Sequence, residues 1–107
     1  LVTAPADVAR LQGWAAASDR ATVVAAMSDL VGDDLRPRLA RIHAPTLVLA
    51  TWAGHPGAGA REQAQATFER QYAGLAGARI AMAPTARHFV MLDDPAWFQA
   101  EVGPFLR

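Results

Sequence analysis

Three histidines, His43, His55 and His88, are the candidate proton carriers in this sequence, because imidazole titrates near neutrality. Cys is absent, which excludes thiol catalysis, disulfides and Cys-ligated zinc. The histidines make no metal site together: their spacings follow no ligand pattern, and no carboxylate lies near His55 in sequence. Neither a metal nor another cofactor is expected. His88 is followed by Asp93, Asp94 and Pro95, so two carboxylates stand close behind an imidazole. Either could serve as its acid partner. Their place just before an apolar helical stretch with proline at its start fits capping of that helix better. The serines, Ser18 and Ser28, lie in Ala-Ala-Ser-Asp-Arg and Ala-Met-Ser-Asp-Leu, without the glycines that a strained nucleophile turn needs. Ser18 reads as a helix cap. Gly54, Gly57 and Gly59 do not make a phosphate loop, since the Lys and the GxGxxG order are missing. His43 reads as a solvated residue ahead of a strand, and Arg87 as an exposed charge.

The elements that must position these residues follow from periodicity. Residues 5–17 are expected to be helical, with Pro5 in the first turn and Val8, Leu11 and Trp14 at helical spacing. Ser18 or Asp19 can cap a second helix whose Val23, Val24, Met27, Leu30 and Val31 form an apolar stripe for a core or a cap interface, ending at Gly32. Asp33 or Asp34 then caps a short helix with Leu35, Leu39 and Ile42, in which Pro37 is tolerable only in the first turn. Residues 46–51 form a continuous apolar run, as expected of a strand buried on both faces. A glycine-rich loop follows, then a helix over 61–75 carrying Ala64, Phe68, Tyr72 and Leu75, stopped by Gly77. Residues 78–83 are the second strand candidate. A final helix starts at Asp93 or Asp94 and packs through Trp97, Phe98, Val102, Phe105 and Leu106.

The second half therefore reads strand–helix–strand–helix, a right-handed βαβ unit with parallel strands. In open α/β sheets, ligands sit beyond the carboxyl ends of the strands. Both the loop 52–59 and His88 fall at that edge. A two-strand sheet that expects cover on both faces is incomplete by itself.

Here the residues resemble a known family. The order His88, Asp93 five positions later, Pro95 seven positions later and a helix ending in Phe105-Leu106 is similar to the C-terminal end of α/β-hydrolases. Asp34-Leu35 through Leu39, Ile42 and Pro45-Thr46-Leu47-Val48-Leu49 resembles that family's passage from the cap into the penultimate strand. The resemblance covers residues 33–107, while residues 1–32 resemble cap helices more loosely. It implies a partial α/β-hydrolase fold: helices left from a cap, then a βαβα unit with two parallel strands. It also implies that His88 is the general base, accepting the nucleophile's proton and returning it to the leaving group. The family's G-x-S-x-G nucleophile turn and its oxyanion hole belong upstream, so no nucleophile is expected in this chain. The family's acid usually follows the penultimate strand. Here that loop, Trp52 to Gly59, holds no carboxylate, which departs from the pattern. Trp52, His55 and Phe89 are candidates for the substrate pocket. The implied reaction is hydrolysis of an ester or related acyl bond in a small molecule, without a cofactor, and the 107 residues by themselves are expected to be inactive.

Composition narrows the partners. Ten Arg and no Lys balance ten acidic residues, for a net charge of zero. Nucleic acid is not an expected partner, because phosphate neutralisation needs a basic surplus. No apolar run reaches the roughly 18 residues of a membrane span. With 52% hydrophobic residues, one small domain with a core is expected. The chain starts at Leu1 rather than Met, which leaves a fragment and a natural short protein both open and says nothing about targeting. Its compartment is open, with the cytoplasm slightly favoured. The alternative is a non-catalytic α/β module that folds by self-association or by pairing with a separate N-terminal half.

Overall fold

The computed structural model describes residues 1–55 and 57–107; Pro56, in the loop after the first strand, lies outside the described residues. Helix α1 spans Pro5–Ala17 with proline in its first turn, and α2 spans Arg20–Gly32. Asp19 caps α2, accepting from the Thr22 amide at 2.9 Å and the Thr22 hydroxyl at 2.7 Å. Ser18 instead closes α1, its hydroxyl donating to the Trp14 carbonyl at 2.8 Å. The short helix is a 3-10 turn, Arg36–Arg41, with Pro37 in its first turn. Asp34 folds ahead of it, taking the Arg36 amide and pairing with the Arg36 guanidinium at 2.7 Å. That pairing holds the Asp34 carboxyl down at about 2.

Strand β1, Thr46–Ala50, and strand β2, Ala78–Met82, form a two-stranded parallel sheet, with Thr46 opposite Ala78 and Ala50 opposite Met82. Helix α3, Ala60–Tyr72, joins them and packs on both. It ends before Gly77. That glycine, at φ +75°, instead forms the tight entry to β2. Helix α4 is a single turn, Val90–Asp93, and α5 runs Pro95–Phe105. An ion pair from Arg79 to Glu101, 2.7 Å, links β2 to α5. The expected mixed helix and parallel-strand organisation is therefore present.

Three packing expectations are corrected. The Val23–Val31 stripe is real, about 120° wide at 100° per residue, but none of it is buried by the described residues, so it is not part of a core in this chain. Leu30 and Val31 are 70% and 82% exposed, and neither α1 nor α2 has a buried residue. At the other end, Leu106 is 76% exposed and Phe105 38%, while Trp97 and Phe98 do pack, against Ala83, Ala86 and Val90. The strands are half-buried rather than buried on both faces, with Ala50 alone fully enclosed. Fully enclosed side chains are mostly alanine, so the core is thin. The accessible surface is 7805 Å². A self-contained protein of 11.4 kDa exposes about 5,800 Å². The radius of gyration is 15.6 Å, where about 13 Å is typical of this length.

Candidate functional site

The carboxyl ends of the two strands are tied together through Ala83. Its amide donates to the Ala50 carbonyl at 2.8 Å, and its carbonyl accepts from the Trp52 indole N–H at 3.1 Å. Ala83 is fully buried. Both of its polar backbone groups are thus satisfied by the chain leaving β1, as buried groups require. Trp52 is therefore a half-buried fastener between the two loops. His55 is exposed, its amide donating to the Trp52 carbonyl at 2.8 Å. It borders a cavity of about 400 Å³ along α3, lined also by Ala60, Gln63, Thr67, Phe68 and Gln71.

From Ala83 the chain turns through Pro84 and Thr85, is anchored by buried Ala86, and presents His88 to solvent. The His88 ring meets Phe89 edge to face, with centroids 5.1 Å apart. The residues on either side of His88 are held through their amides. Arg87 N–H donates to Asp93 Oδ2 at 2.9 Å, and Phe89 N–H donates to the Leu1 carbonyl at 3.1 Å. Asp93 also accepts the Thr3 amide on Oδ1 at 2.8 Å and the Thr3 hydroxyl on Oδ2 at 2.9 Å. Val2, between these contacts, is buried. Burial pushes the Asp93 carboxyl up, but the Arg87 amide, the Thr3 amide and hydroxyl, and the Arg87 charge together bring it below its ordinary range.

The expectation that Asp93 or Asp94 caps the last helix resolves between them. Asp94 is the cap, accepting the Trp97 amide at 3.0 Å. Asp93 sits instead at the end of α4, where its oxygens take donors from Thr3 and Arg87. Neither carboxylate bonds the His88 ring. Ser28 spends its hydroxyl proton on the Val24 carbonyl at 2.9 Å, as Ser18 does on Trp14. His43 is exposed in the segment before β1, away from this edge. Among the described residues, no three His, Asp or Glu side chains gather as metal ligands, and no helix is long and apolar enough to cross a membrane. The Leu1–Thr3 segment is the part of the site that periodicity misses, because its partners lie about ninety positions away.

Comparison with family models, with curated proteins and with solved structures finds no match to this chain.

Proposed function

We propose that the chain is the C-terminal part of a serine-type α/β-hydrolase acting on an ester or related acyl bond, and that His88 is its general base. The observation that carries this reading is the place of His88. It stands exposed on the loop leaving β2, beyond the carboxyl end of the parallel sheet, on the side where α/β folds bind ligands. The spacing from His88 to Asp93, Pro95 and Phe105-Leu106 supports it. In this role the neutral imidazole takes the proton of a serine hydroxyl as its oxygen attacks the acyl carbon. It then gives that proton to the departing alkoxide, and repeats the cycle with water to release the acid. The nucleophile and the acid come from outside these residues: Ser18 and Ser28 are bound into helices, and Asp93 and Asp94 are committed to backbone donors. Trp52 and Phe89 border the acyl site.

Two measurements test this. The 107-residue chain should not turn over a p-nitrophenyl ester; turnover that disappears in His88→Ala would place the nucleophile inside the chain and overturn the assignment. A protein extended by the sequence encoded ahead of Leu1 should hydrolyse such esters, and His88→Ala should lower that rate by about a thousandfold or more. An unaffected rate would sink the reading.

A second reading rests on a different observation, the excess accessible surface. On this reading the chain is a non-catalytic module that folds on a copy of itself or on a separate N-terminal half. Sedimentation tests it. A concentration-dependent dimer that stays well folded favours the module, and a stable, well-folded monomer counts against both readings.

A further inference from the structure

We infer that Asp93 is the positioning residue of the candidate site: with the Leu1–Thr3 segment it forms a clasp that fixes the backbone on both sides of His88 and leaves the imidazole free. The functional meaning of the clasp rests on His88 being the general base; its existence does not.

The geometry is specific. A histidine on an exposed loop has no packing to hold its ring, so its direction must be set by the backbone that carries it. Here the residue before His88 is held by Asp93 Oδ2 and the residue after it by the Leu1 carbonyl. Those two anchors are themselves joined, because Asp93 takes both the amide and the hydroxyl of Thr3, and Val2 is buried between them. One carboxylate thus receives three donors from two distant segments. Hydrogen bonds to an ionised acceptor are shorter and stronger than neutral ones, so this carboxylate is the strongest member of the clasp. Ala86 and Val90, buried on either side in sequence, fix the ends of the segment against Trp97 and Phe98. His88 is left with a single ring contact, Phe89.

The chemistry of the carboxylate explains why an amide cannot replace it. In Asp93→Asn, one oxygen becomes an NH2 donor. Whichever way the amide is turned, that donor meets the amide of either Thr3 or Arg87. At least one backbone bond is lost in each orientation, whereas Asp94→Asn retains an acceptor for its main capping bond.

The test uses the 107-residue chain and reads the loop itself. Amide hydrogen exchange is measured at Thr3, Arg87 and Phe89, with β1 and β2 amides as the reference for global opening. The His88 ring resonances report its contact with Phe89. In Asp93→Ala, exchange at the three clasp amides should rise at least tenfold relative to the strand amides, and the His88 ring resonances should move. Asp93→Asn should do the same to a smaller degree, and it carries the test if the alanine variant does not fold. Asp94→Ala, which removes the α5 cap, is the control: it should speed exchange everywhere in step with stability and leave the His88 resonances in place. If Asp93→Asn behaves like that control, or leaves clasp exchange and the His88 ring unchanged, the clasp is refuted. The hydrolase reading fails separately, as ester turnover in the extended protein that is indifferent to His88→Ala.

Discussion

Asp94 accepts one amide, that of Trp97 at the start of α5, while its neighbour Asp93 gathers three donors from outside its own helix. Removing the first is a local loss. Asp94→Ala should destabilise the chain by about 1 kcal/mol, the usual cost of an N-cap, read as a lower urea midpoint with an unchanged slope. His88 contrasts with both. It is exposed, and its ring contact is with the adjacent Phe89. His88→Ala should therefore shift stability by less than about 0.5 kcal/mol. A large loss on urea melting would mean that the imidazole is part of the packing, which is not what a free general base requires.

At the scale of elements, the clasp couples stability to acidity. The folded Asp93 carboxyl ionises below the roughly 3.9 of an unfolded aspartate, despite burial acting the other way. A carboxyl depressed in the fold stabilises it fully above the unfolded value, and the contribution is lost as pH falls through the folded value. The charged group beside Asp93 is Arg87, whose attraction acts on the ionised carboxyl and is lost when that carboxyl is protonated. Asp19 and Asp34 are depressed in the same direction, by Thr22 and by Arg36, and add to the same acid limb. The stability difference between the wild type and Asp93→Asn should thus be flat above about pH 5 and shrink as the pH falls below about 3.9. A difference that stays constant to pH 2.5 would mean that the wild-type carboxyl is not held in the clasp. The elements themselves were legible from local signals. Pro5, Asp19 and Pro95 mark helix starts, and the runs at 46–51 and 78–83 mark strands, because each signal acts within one or two turns of chain. The place of His88 at the strand ends followed from the same reading. The clasp did not, because nothing in Leu-Val-Thr marks it as the partner of a carboxylate ninety residues on. Burial was misjudged for a related reason: a stripe such as Val23 to Val31 shows that a helix needs a partner, but not whether that partner lies in the same chain.

For the whole molecule, area decides which of its surfaces is unfinished. The chain exposes 7805 Å², about a third more than a self-contained protein of its mass. The excess, on the order of 2,000 Å², equals what each partner gives up in a large obligate interface. Part of it is the two edges of the two-stranded sheet, which no further strand among the described residues pairs. Another part is the α2 stripe, with Val23, Val24, Met27, Leu30 and Val31 all about half exposed or more. Both functional readings require that surface to be covered, by the rest of a hydrolase or by another chain. The chain alone should therefore bind a hydrophobic dye strongly and sediment with a mass that rises with concentration. Leu30 and Val31 gain little burial within the chain, so Leu30→Glu with Val31→Glu should leave the urea midpoint within about 0.5 kcal/mol of the wild type. The same pair should sharply reduce dye binding and association, since two like charges would then sit on the uncovered face at the C-terminal end of α2. If the double variant melts early, α2 is packed more tightly than its exposure indicates. If dye binding and sedimentation do not change, the unfinished surface is the sheet edge, and the missing partner is a strand rather than a helix.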